Sequence, residues 1–401
     1  MNDHDSETNP SISERRGWPD FPVTGAWQPG DPSGAREFLD LPRSLALEGG
    51  GVIESVTLAY ETWGTLNQEA SNAILICHAL TGDAHVTGGG GGTYTDEGWW
   101  SRIVGPGKAI DTNEFFVVCA NVLGGCQGTT GPASINPSTG KPYGSSFPQI
   151  TNRDIARSQM CLAEKLGIDR WFSVIGGSMG AMAVLEFAAM FPDRVRSIAP
   201  IASALAASPQ QIAWSAVGRL AVANDAHFAG GDYYESVEGP GRGLAVAREI
   251  ALIHYRSDVE WNQRFGREPL DRMYRFDPWG RFQIEAYLDH HGRKFPSRFD
   301  ANSYIVLNRA MDLHDLGRGR GGPVRALERF TGPSMTVSVS TDALYPPYQQ
   351  EEMAKVLRAN GRSCSHHMIE SVYGHDGFLV EHDKLAPMLN EFLEKVSVDV
   401  A

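Results

Sequence analysis

A serine placed between small residues is the strongest chemical signal in this sequence. The segment GGSMG at 176–180 matches the pattern G-x-S-x-G, in which small residues let a strand and a helix approach closely around a strained turn. An apolar run at 171–177 leads into Ser178, and a helix-forming run follows it. The N-terminus of a helix stabilises negative charge that develops during nucleophilic attack. The context therefore favours a nucleophile over a glycine-rich turn that contains an incidental serine.

A nucleophilic serine requires a histidine as base and an acid that orients the histidine. In proteins with this turn the chain order is serine, then acid, then histidine. His375 lies in SVYGHDGF at 371–378, where glycines on both sides allow a tight turn after a late strand. Asp342 ends the run SMTVSVSTD and precedes a proline-stiffened loop. We predict that Ser178, Asp342 and His375 form a catalytic triad; a surface histidine and a turn-forming aspartate are the alternatives.

Attack by Ser178 on a carbonyl group would create an oxyanion, which N–H donors must stabilise. One donor is the backbone amide of the residue after the nucleophile, Met179, and the other comes from the loop after an earlier strand. That loop is HALTG at 78–82, directly after the apolar run NAILIC. We predict Leu80 as the second donor, a role in which only its backbone would act.

Short apolar runs alternate with helical patterns and predict the framework that holds these residues. Strands are predicted within 72–80, 115–123, 171–177, 195–203, 334–342 and 365–373, and helices at 155–167, 181–192 and 350–361. Strands that alternate with helices form a mostly parallel sheet flanked by helices, an α/β fold.

Residues 204–325 show a different pattern, with helical segments and no clear strand. The helices are predicted at 210–224, 243–256 and 303–316. An insertion between two halves of the sheet would lie over the carboxyl ends of the strands, where open α/β sheets place their sites. The predicted organisation is a flexible polar N-terminal tail at 1–38, a core at 39–203 and 326–401, and a helical lid at 204–325.

The composition excludes several classes of function. The formal net charge of −13 opposes binding to a phosphate backbone, so nucleic acid is not expected as a partner. No stretch approaches the ~20 apolar residues of a membrane span, and the polar N-terminus lacks the apolar core of a signal peptide. The five cysteines are odd in number and contain no CxxC pair. They argue against a disulfide framework and a zinc site, and they favour a reducing cytoplasm.

Two glycine-rich segments resemble functional motifs only in part. GGGGG at 88–92 lacks the Gly-Lys-Ser/Thr that completes a phosphate-binding loop, and it is predicted to be a flexible loop. RGRGG at 318–322 is similar to RNA-binding segments, but a single copy in an acidic protein is predicted to be a turn.

Several long and unusual motifs carry a family resemblance that extends from roughly residue 40 to 395. They are LAYETWGTLN (58–67), CHALTGD (77–83), ANVLGGCQGTTGPASINP (120–137), SFPQITNRD (146–154), GGSMGAMAVLEFA (176–188), FDANSYIVLNRAMD (299–312) and YGHDGFL (373–379). The chain resembles the homoserine O-acetyltransferase family. This resemblance implies an α/β-hydrolase core with an inserted helical lid, and a homodimer formed largely through the lid helices. It also implies transfer of an acetyl group from acetyl-CoA to the hydroxyl of L-homoserine, a step of methionine biosynthesis.

The resemblance also implies roles for individual residues. The family's nucleophile, acid and base fall on the triad predicted above. Its substrate-binding arginine falls on Arg248, in GLAVARE, and its substrate-binding aspartate on Asp376. A zwitterionic amino acid carries a carboxylate and an ammonium group, which one cation and one anion match. The sequence departs from the usual GGSMGG of the family at Ala181.

These predictions define a two-step reaction through an acyl-serine, with acetyl-CoA as co-substrate, no further cofactor and no metal. A lid that excludes water would favour transfer over hydrolysis. Three alternatives stay open at this point: a succinyl-CoA donor or a serine acceptor on the same scaffold, an esterase or thioesterase, and a binding protein without catalysis. An intact triad argues against the last, and the Arg248/Asp376 pair argues against an esterase.

Overall fold

Eight strands form one central sheet in the computed structural model of the protein, which describes residues 17–89, 97–272, 276 and 279–398. In chain order they are β1 (Glu37–Asp40), β2 (Thr57–Trp63), β3 (Ala73–Cys77), β4 (Phe116–Ala120), β5 (Ser173–Gly177), β6 (Ile198–Ile201), β7 (Ser334–Val339) and β8 (Cys364–Ile369). Their order across the sheet is β1-β2-β4-β3-β5-β6-β7-β8. Strands β3 to β8 are parallel, and β1 and β2 add an antiparallel edge.

The predicted mostly parallel sheet is confirmed, and each of the six predicted strands overlaps one of β3 to β8. Every residue of β3, β5 and β7 is buried. Strands that helices cover on both faces have no side facing water, so their sequences are continuous apolar runs rather than alternating ones. Three pairs of two-residue strands lie outside the sheet, at Leu45–Ala46 with Val52–Ile53, Val104–Gly105 with Ile110–Asp111, and Ile135–Asn136 with Lys141–Pro142.

The helices flank this sheet or lie between β6 and β7. They are α1 (Asn152–Lys165), α2 (Met179–Met190), α3 (Pro209–Ala223), α4 (Gly241–Tyr255), α5 (Asp258–Arg264), α6 (Gln283–Lys294), α7 (Ala301–Asp312), α8 (Pro323–Ala326), α9 (Pro347–Ala359), α10 (Gly377–Val380) and α11 (His382–Val398). Short 3₁₀ turns occupy Gly144–Ser146, Pro192–Arg194, Ala229–Gly231, Phe295–Ser297 and Gly374–Asp376. Helix α1 begins three residues before its predicted start, where Asp154 accepts a hydrogen bond from the Thr151 amide at 2.9 Å and so satisfies a free donor of the first turn.

Helices α3 to α8 occupy the interval between β6 and β7, and the described residues of this interval form no strand. Helix α3 packs along α4 and α7, and α4 packs against α6. The approach of α3 to α7 depends on Gly218, because a Cβ at that position would lie 2.4 Å from the Tyr304 hydroxyl oxygen. This helical layer follows the end of β6 and precedes β7, so it is attached to the carboxyl edge of the sheet at one end.

The N-terminal segment differs from its prediction as a flexible tail over 1–38. Residues 1–16 lie outside the described residues, but the rest of the segment is packed. The Trp27 amide donates to the Cys126 carbonyl at 2.9 Å, and the Thr24 hydroxyl donates to Asp300 at 2.8 Å. A Cβ on Gly25 would lie 2.5 Å from the backbone of Phe299. The prediction of a flexible tail is therefore wrong for 17–38. This segment has few apolar residues, but it makes specific contacts to the start of α7, to the turn before α7 and to Cys126.

A network of charges around the buried Glu186 joins the end of the helical layer to the core. Arg320 contacts Glu186 of α2 at 2.7 Å, and Arg318 contacts Glu48 at 2.9 Å. Arg153 of α1 lies between the two carboxylates, 3.3 Å from Glu186 and 2.7 Å from Glu48. We refer to these five residues as the Glu48–Glu186 clasp. The RGRGG segment is a turn, as predicted, and its arginines hold this turn against the two core helices.

Candidate active site

Ser178 lies at the sharp turn between β5 and α2, with φ 58° and ψ −122°. Its amide donates to the Ile201 carbonyl of β6 at 2.9 Å, which fixes the turn against the sheet. A Cβ on Gly180 would lie 2.0 Å from the Cys77 carbonyl oxygen, and one on Gly177 would lie 2.3 Å from the Phe378 ring. Small residues are therefore required on both sides of the serine because β3, α2 and α10 approach so closely here.

Ala181, where the related pattern has glycine, lies fully buried in the first turn of α2. Its amide donates to the Ser178 carbonyl at 3.0 Å. The methyl group therefore fits without disturbing the start of the helix.

The structure brings together the three side chains that the sequence predicts as a triad. His375 Nε2 lies 2.9 Å from Ser178 Oγ, and His375 Nδ1 lies 2.7 Å from Asp342 Oδ2. The second carboxylate oxygen, Asp342 Oδ1, accepts the amides of Leu344 and Tyr345, each at 2.8 Å. All three side chains are buried. The acid is thus held by backbone donors while it holds the histidine, an arrangement that fixes the orientation of the ring.

Opposing effects act on the pKa of His375. Burial lowers it, whereas the charge of Asp342, its hydrogen bond and the nearby charge of Asp376 raise it; the net result is a pKa above the ordinary 6.5. In the neutral form the Nδ1 proton is donated to the carboxylate, because a carboxylate only accepts. Nε2 then accepts the Ser178 hydroxyl proton, which is the geometry of a serine poised for deprotonation.

The backbone amides of Met179 and Leu80 have no acceptor among the described residues of the chain. Both residues are buried. The loop that contains Leu80 lies against the start of α2, since a Cβ on Gly180 would lie 3.0 Å from the His78 carbonyl oxygen. Two free amide donors near a buried serine hydroxyl are the groups that an oxyanion requires.

Arg248 projects from α4 toward the same region. Its guanidinium carbon lies 5.8 Å from the Tyr255 ring and 5.3 Å from the Phe295 ring, and Tyr255 in turn lies 5.8 Å from the His375 ring. Within the described ranges the guanidinium makes no hydrogen bond and no ion pair. The arginine is half-buried, so an uncompensated positive charge lies near the triad.

Asp376, the second predicted substrate-binding residue, has another arginine beside it. Its carboxylate lies 2.9 Å from Arg256 Nε, and Arg256 also contacts Glu260 at 3.2 Å. Arg256 was missed in the sequence, although it lies in the segment 243–256 that was predicted as one helix with Arg248. In the structure it directly follows α4 in an extended conformation. The two predicted substrate-binding residues therefore do not contact each other.

Tyr345 is a second residue of the site that sequence reasoning missed. It is fully buried, and its ring lies 5.2 Å from that of His375. Its hydroxyl bonds to the Gln211 amide of α3. Burial raises the pKa of Tyr345 far above 10, although a hydrogen bond with Ser178 acts in the opposite direction, so the hydroxyl remains protonated. In the sequence this tyrosine was visible only as part of the loop after Asp342.

Other kinds of site find no support in the described part of the chain. No group of three or more metal-binding side chains occurs among these residues. No described helix has both the length and the apolar character that crossing a membrane requires.

Comparisons with known proteins agree with this geometry. The family model described as "alpha/beta hydrolase fold" matches residues 72–382. The homoserine O-acetyltransferase of Thermobifida fusca (strain YX) is 50% identical over 378 residues, which cover 94% of this chain and 98% of that protein. Among solved structures, homoserine O-acetyltransferase from Bacillus anthracis has a TM-score of 0.84 at 29% identity and covers 90% of this chain and 97% of its own.

An enzyme of another class is nearly as similar in structure. Esterase E22 has a TM-score of 0.83 at 28% identity, and the match covers 90% of this chain and 100% of that one. Structural similarity alone does not separate the two activities. Sequence identity of 50% over 94% of the chain does identify the family. The chain therefore belongs to the α/β-hydrolase fold family and, within it, to the homoserine O-acetyltransferases.

Proposed function

We propose that this protein transfers the acetyl group of acetyl-CoA to the hydroxyl of L-homoserine through an acetyl-Ser178 intermediate. The observation that carries the proposal is the continuous chain of hydrogen bonds from Asp342 through His375 to Ser178. The chain is similar to homoserine O-acetyltransferases over nearly its whole length. It also has a nucleophile, a base and an orienting acid within hydrogen-bonding distance of one another.

In the first half-reaction His375 Nε2 accepts the Ser178 proton as Oγ attacks the thioester carbonyl. The negative charge that develops on the carbonyl oxygen is stabilised by the free amides of Met179 and Leu80. The tetrahedral intermediate collapses by breaking the carbon–sulfur bond. The imidazolium of His375 then protonates the departing thiolate, which leaves neutral His375 and acetylated Ser178.

In the second half-reaction homoserine replaces CoA, and His375 accepts the proton of its hydroxyl group. The alkoxide oxygen attacks the acetyl-serine carbonyl, and the proton returns to Ser178 as the ester bond to the serine breaks. We assign the homoserine carboxylate to Arg248, because this cation makes no hydrogen bond or ion pair in the described structure, and the ammonium to Asp376. Arg256 remains beside Asp376 and prevents that carboxylate from being an unpaired charge when no substrate is bound.

An esterase is the competing function, and the esterase structure cited above makes it a serious one. The uncompensated charge of Arg248 favours the transferase, because an ester hydrolase that uses water as acceptor needs no cation to bind a carboxylate. The names of the relatives favour acetyl over succinyl as the donor group and homoserine over serine as acceptor.

We further propose a cytoplasmic homodimer that acts in methionine biosynthesis. All five cysteines are free, as expected in a reducing compartment. Helix α3 exposes Ala213, Val217 and Leu220 at intervals of one helical turn, and Val217 and Leu220 are 50% and 58% exposed. Such an apolar stripe on the outer helix of the lid suits contact with a second copy.

The experiment that tests the function is an assay of purified protein with acetyl-CoA or succinyl-CoA and with homoserine, serine or no acceptor. Free CoA and the acylated amino acid are both measured. We expect rapid formation of O-acetylhomoserine and its loss in Ser178→Ala. Fast CoA release that is independent of the acceptor would instead identify a thioesterase.

Two arginine variants of α4 refine this assay. Arg248→Met should lower kcat/KM for homoserine by about 10–10²-fold, the scale of losing charge-assisted hydrogen bonds, while acylation by acetyl-CoA is preserved. Arg242→Met serves as the matched control, since Arg242 is exposed on the same helix. Equal effects of the two substitutions would contradict the role assigned to Arg248.

A further inference from the structure

His78 is a buried histidine that the mechanism above does not use. It follows β3 directly and is 1% exposed. Its ring spans the loops after two neighbouring strands: Nδ1 lies 2.8 Å from the Ala79 carbonyl oxygen, and Nε2 lies 3.0 Å from the Val122 amide nitrogen. Both ring nitrogens are therefore engaged, so the side chain is not available as a base or a ligand.

These two contacts determine where the proton of the ring resides. A backbone amide only donates, so His78 Nε2 must accept the hydrogen bond from Val122 and carries no proton. Burial lowers the pKa of His78, although the Ala79 carbonyl and Asp83 act in the opposite direction, and the ring is neutral. A neutral imidazole has one N–H group, which must then be at Nδ1 and donate to the Ala79 carbonyl.

The Ala79 carbonyl belongs to the same peptide unit as the Leu80 amide. It accepts a second hydrogen bond from the Gly82 amide at 2.9 Å. Gly82 allows this close turn, since a Cβ there would lie 3.0 Å from the Cβ of His78. Because a trans peptide is planar and its C=O and N–H groups point in opposite directions, two donors that hold the oxygen also fix the direction of the Leu80 N–H.

The two predicted oxyanion donors differ in how they are held. Met179 begins α2, so the helix itself orients its amide. Leu80 lies in a loop outside any helix or strand, and its amide needs another constraint. From the hydrogen bonds that link Val122, His78 and the Ala79–Leu80 peptide, we infer that His78 is the positioning residue of the oxyanion hole. This inference rests on the proposed function, in which the Leu80 amide stabilises both tetrahedral intermediates.

Two substitutions separate positioning from the filling of space. Asparagine places its amide NH₂ near the position of Nδ1 and can donate to the Ala79 carbonyl. Glutamine, one methylene longer, places its amide oxygen near the position of Nε2 and preserves only the Val122 contact. We expect His78→Gln to lower kcat by about 10²-fold, the scale of losing one oxyanion donor. His78→Asn should remain at least about tenfold faster than His78→Gln.

Two measurements distinguish the loss of an oxyanion donor from partial unfolding of the variant. Since the oxyanion forms in both half-reactions, kcat/KM for acetyl-CoA and kcat/KM for homoserine should fall by the same factor in His78→Gln. Thermal unfolding of each variant, followed by circular dichroism, reports the folded fraction. His367→Gln is the control, because His367 lies on the edge strand β8, and its kinetics should equal those of the wild type.

A measurement on the wild-type protein does not depend on any variant being active. Nitrogen-15 NMR of the histidine rings, with the His78 signal assigned by its loss in His78→Asn, should show a protonated Nδ1 and an unprotonated Nε2. The opposite tautomer would overturn the inference, as would wild-type kinetics in His78→Gln or equal losses in the two variants. Failure of the wild-type protein to acetylate homoserine would count against the proposed function instead, and the tautomer would still be measurable.

Discussion

At the scale of single residues, hydrogen bonds to backbone groups hold the side chains of the site in position. The Leu344 and Tyr345 amides hold Asp342, and the Val122 amide holds His78. The residue types of the triad could be predicted because the chemistry demands them, and their chain order because this fold fixes it. The backbone partners could not, since Val122 and His78 meet only when distant segments fold together and the amides after Asp342 depend on the conformation of its loop.

The raised pKa of His375 predicts an acidic limit to activity. The base must be neutral, so kcat/KM for acetyl-CoA should fall as the pH drops below a midpoint that lies above 6.5. In Asp342→Asn the charge that raises the pKa is absent and burial, which lowers it, prevails. The midpoint should then move below 6.5, while the rate falls by up to about 10⁴-fold.

The pH profile of the acylation half-reaction in both proteins tests this prediction. A midpoint that is unchanged by Asp342→Asn would show that another group controls the acidic limb. The raised pKa of His375 also makes stability depend on pH. The contribution of His375 to the free energy of unfolding is complete below the unfolded pKa and is lost as the pH rises through the higher folded pKa.

At the scale of helices and strands, sequence patterns predicted the parallel part of the sheet because buried strands are continuous apolar runs. The antiparallel strands β1 and β2 were missed: β2 has the sequence TLAYETW, which mixes polar and apolar residues. Helix α11 was also missed, although Leu385, Leu389 and Leu393 recur at helical spacing and could have revealed it. The contacts of 17–38 depend on a few aromatic and glycine residues, and composition alone hides them.

The Glu48–Glu186 clasp gives a prediction for stability. Arg320→Ala should reduce the free energy of unfolding by about 3 kcal/mol, the lower end of the range for breaking a buried pair, since Arg153 still contacts Glu186. Arg329→Ala removes an ion pair of similar length, 2.8 Å to Asp193, but one that is largely exposed. It should cost at most about 1 kcal/mol.

Urea unfolding of the two variants and the wild type provides the comparison. Equal losses would mean that the ion pair to the buried Glu186 contributes no more than a surface pair. A loss in Arg320→Ala accompanied by unchanged kcat would show that the clasp stabilises the fold without affecting the chemistry.

At the scale of the whole molecule, fold and activity are separable. An esterase and an acetyltransferase match this chain with TM-scores of 0.83 and 0.84, so the sheet and its helices do not select the acceptor. We therefore expect a few side chains near the triad, Arg248 among them, to select the acceptor. This explains why the fold class could be predicted from patterns, whereas the substrate required long motifs that resemble one family.

The exposed stripe of α3 predicts how the proposed dimer responds to charge. The double variant Val217→Asp, Leu220→Asp should raise the dimer dissociation constant by at least about 10²-fold, because carboxylates would be buried without partners. Val237→Asp is the control, since Val237 is 95% exposed and lies outside the helices. Light scattering coupled to size-exclusion chromatography measures the mass of each; a dimer that survives the double substitution would place the interface elsewhere.

The backbone conformation of Ser178, with φ 58° and ψ −122°, has an evolutionary consequence. Glycine would adopt this conformation without the ~1–3 kcal/mol that a side chain costs there, but glycine has no hydroxyl group to acylate. Selection for a stable chain and selection for turnover therefore act in opposite directions at one position. A lineage that no longer required the acetyl-enzyme would gain stability by replacing this serine with glycine.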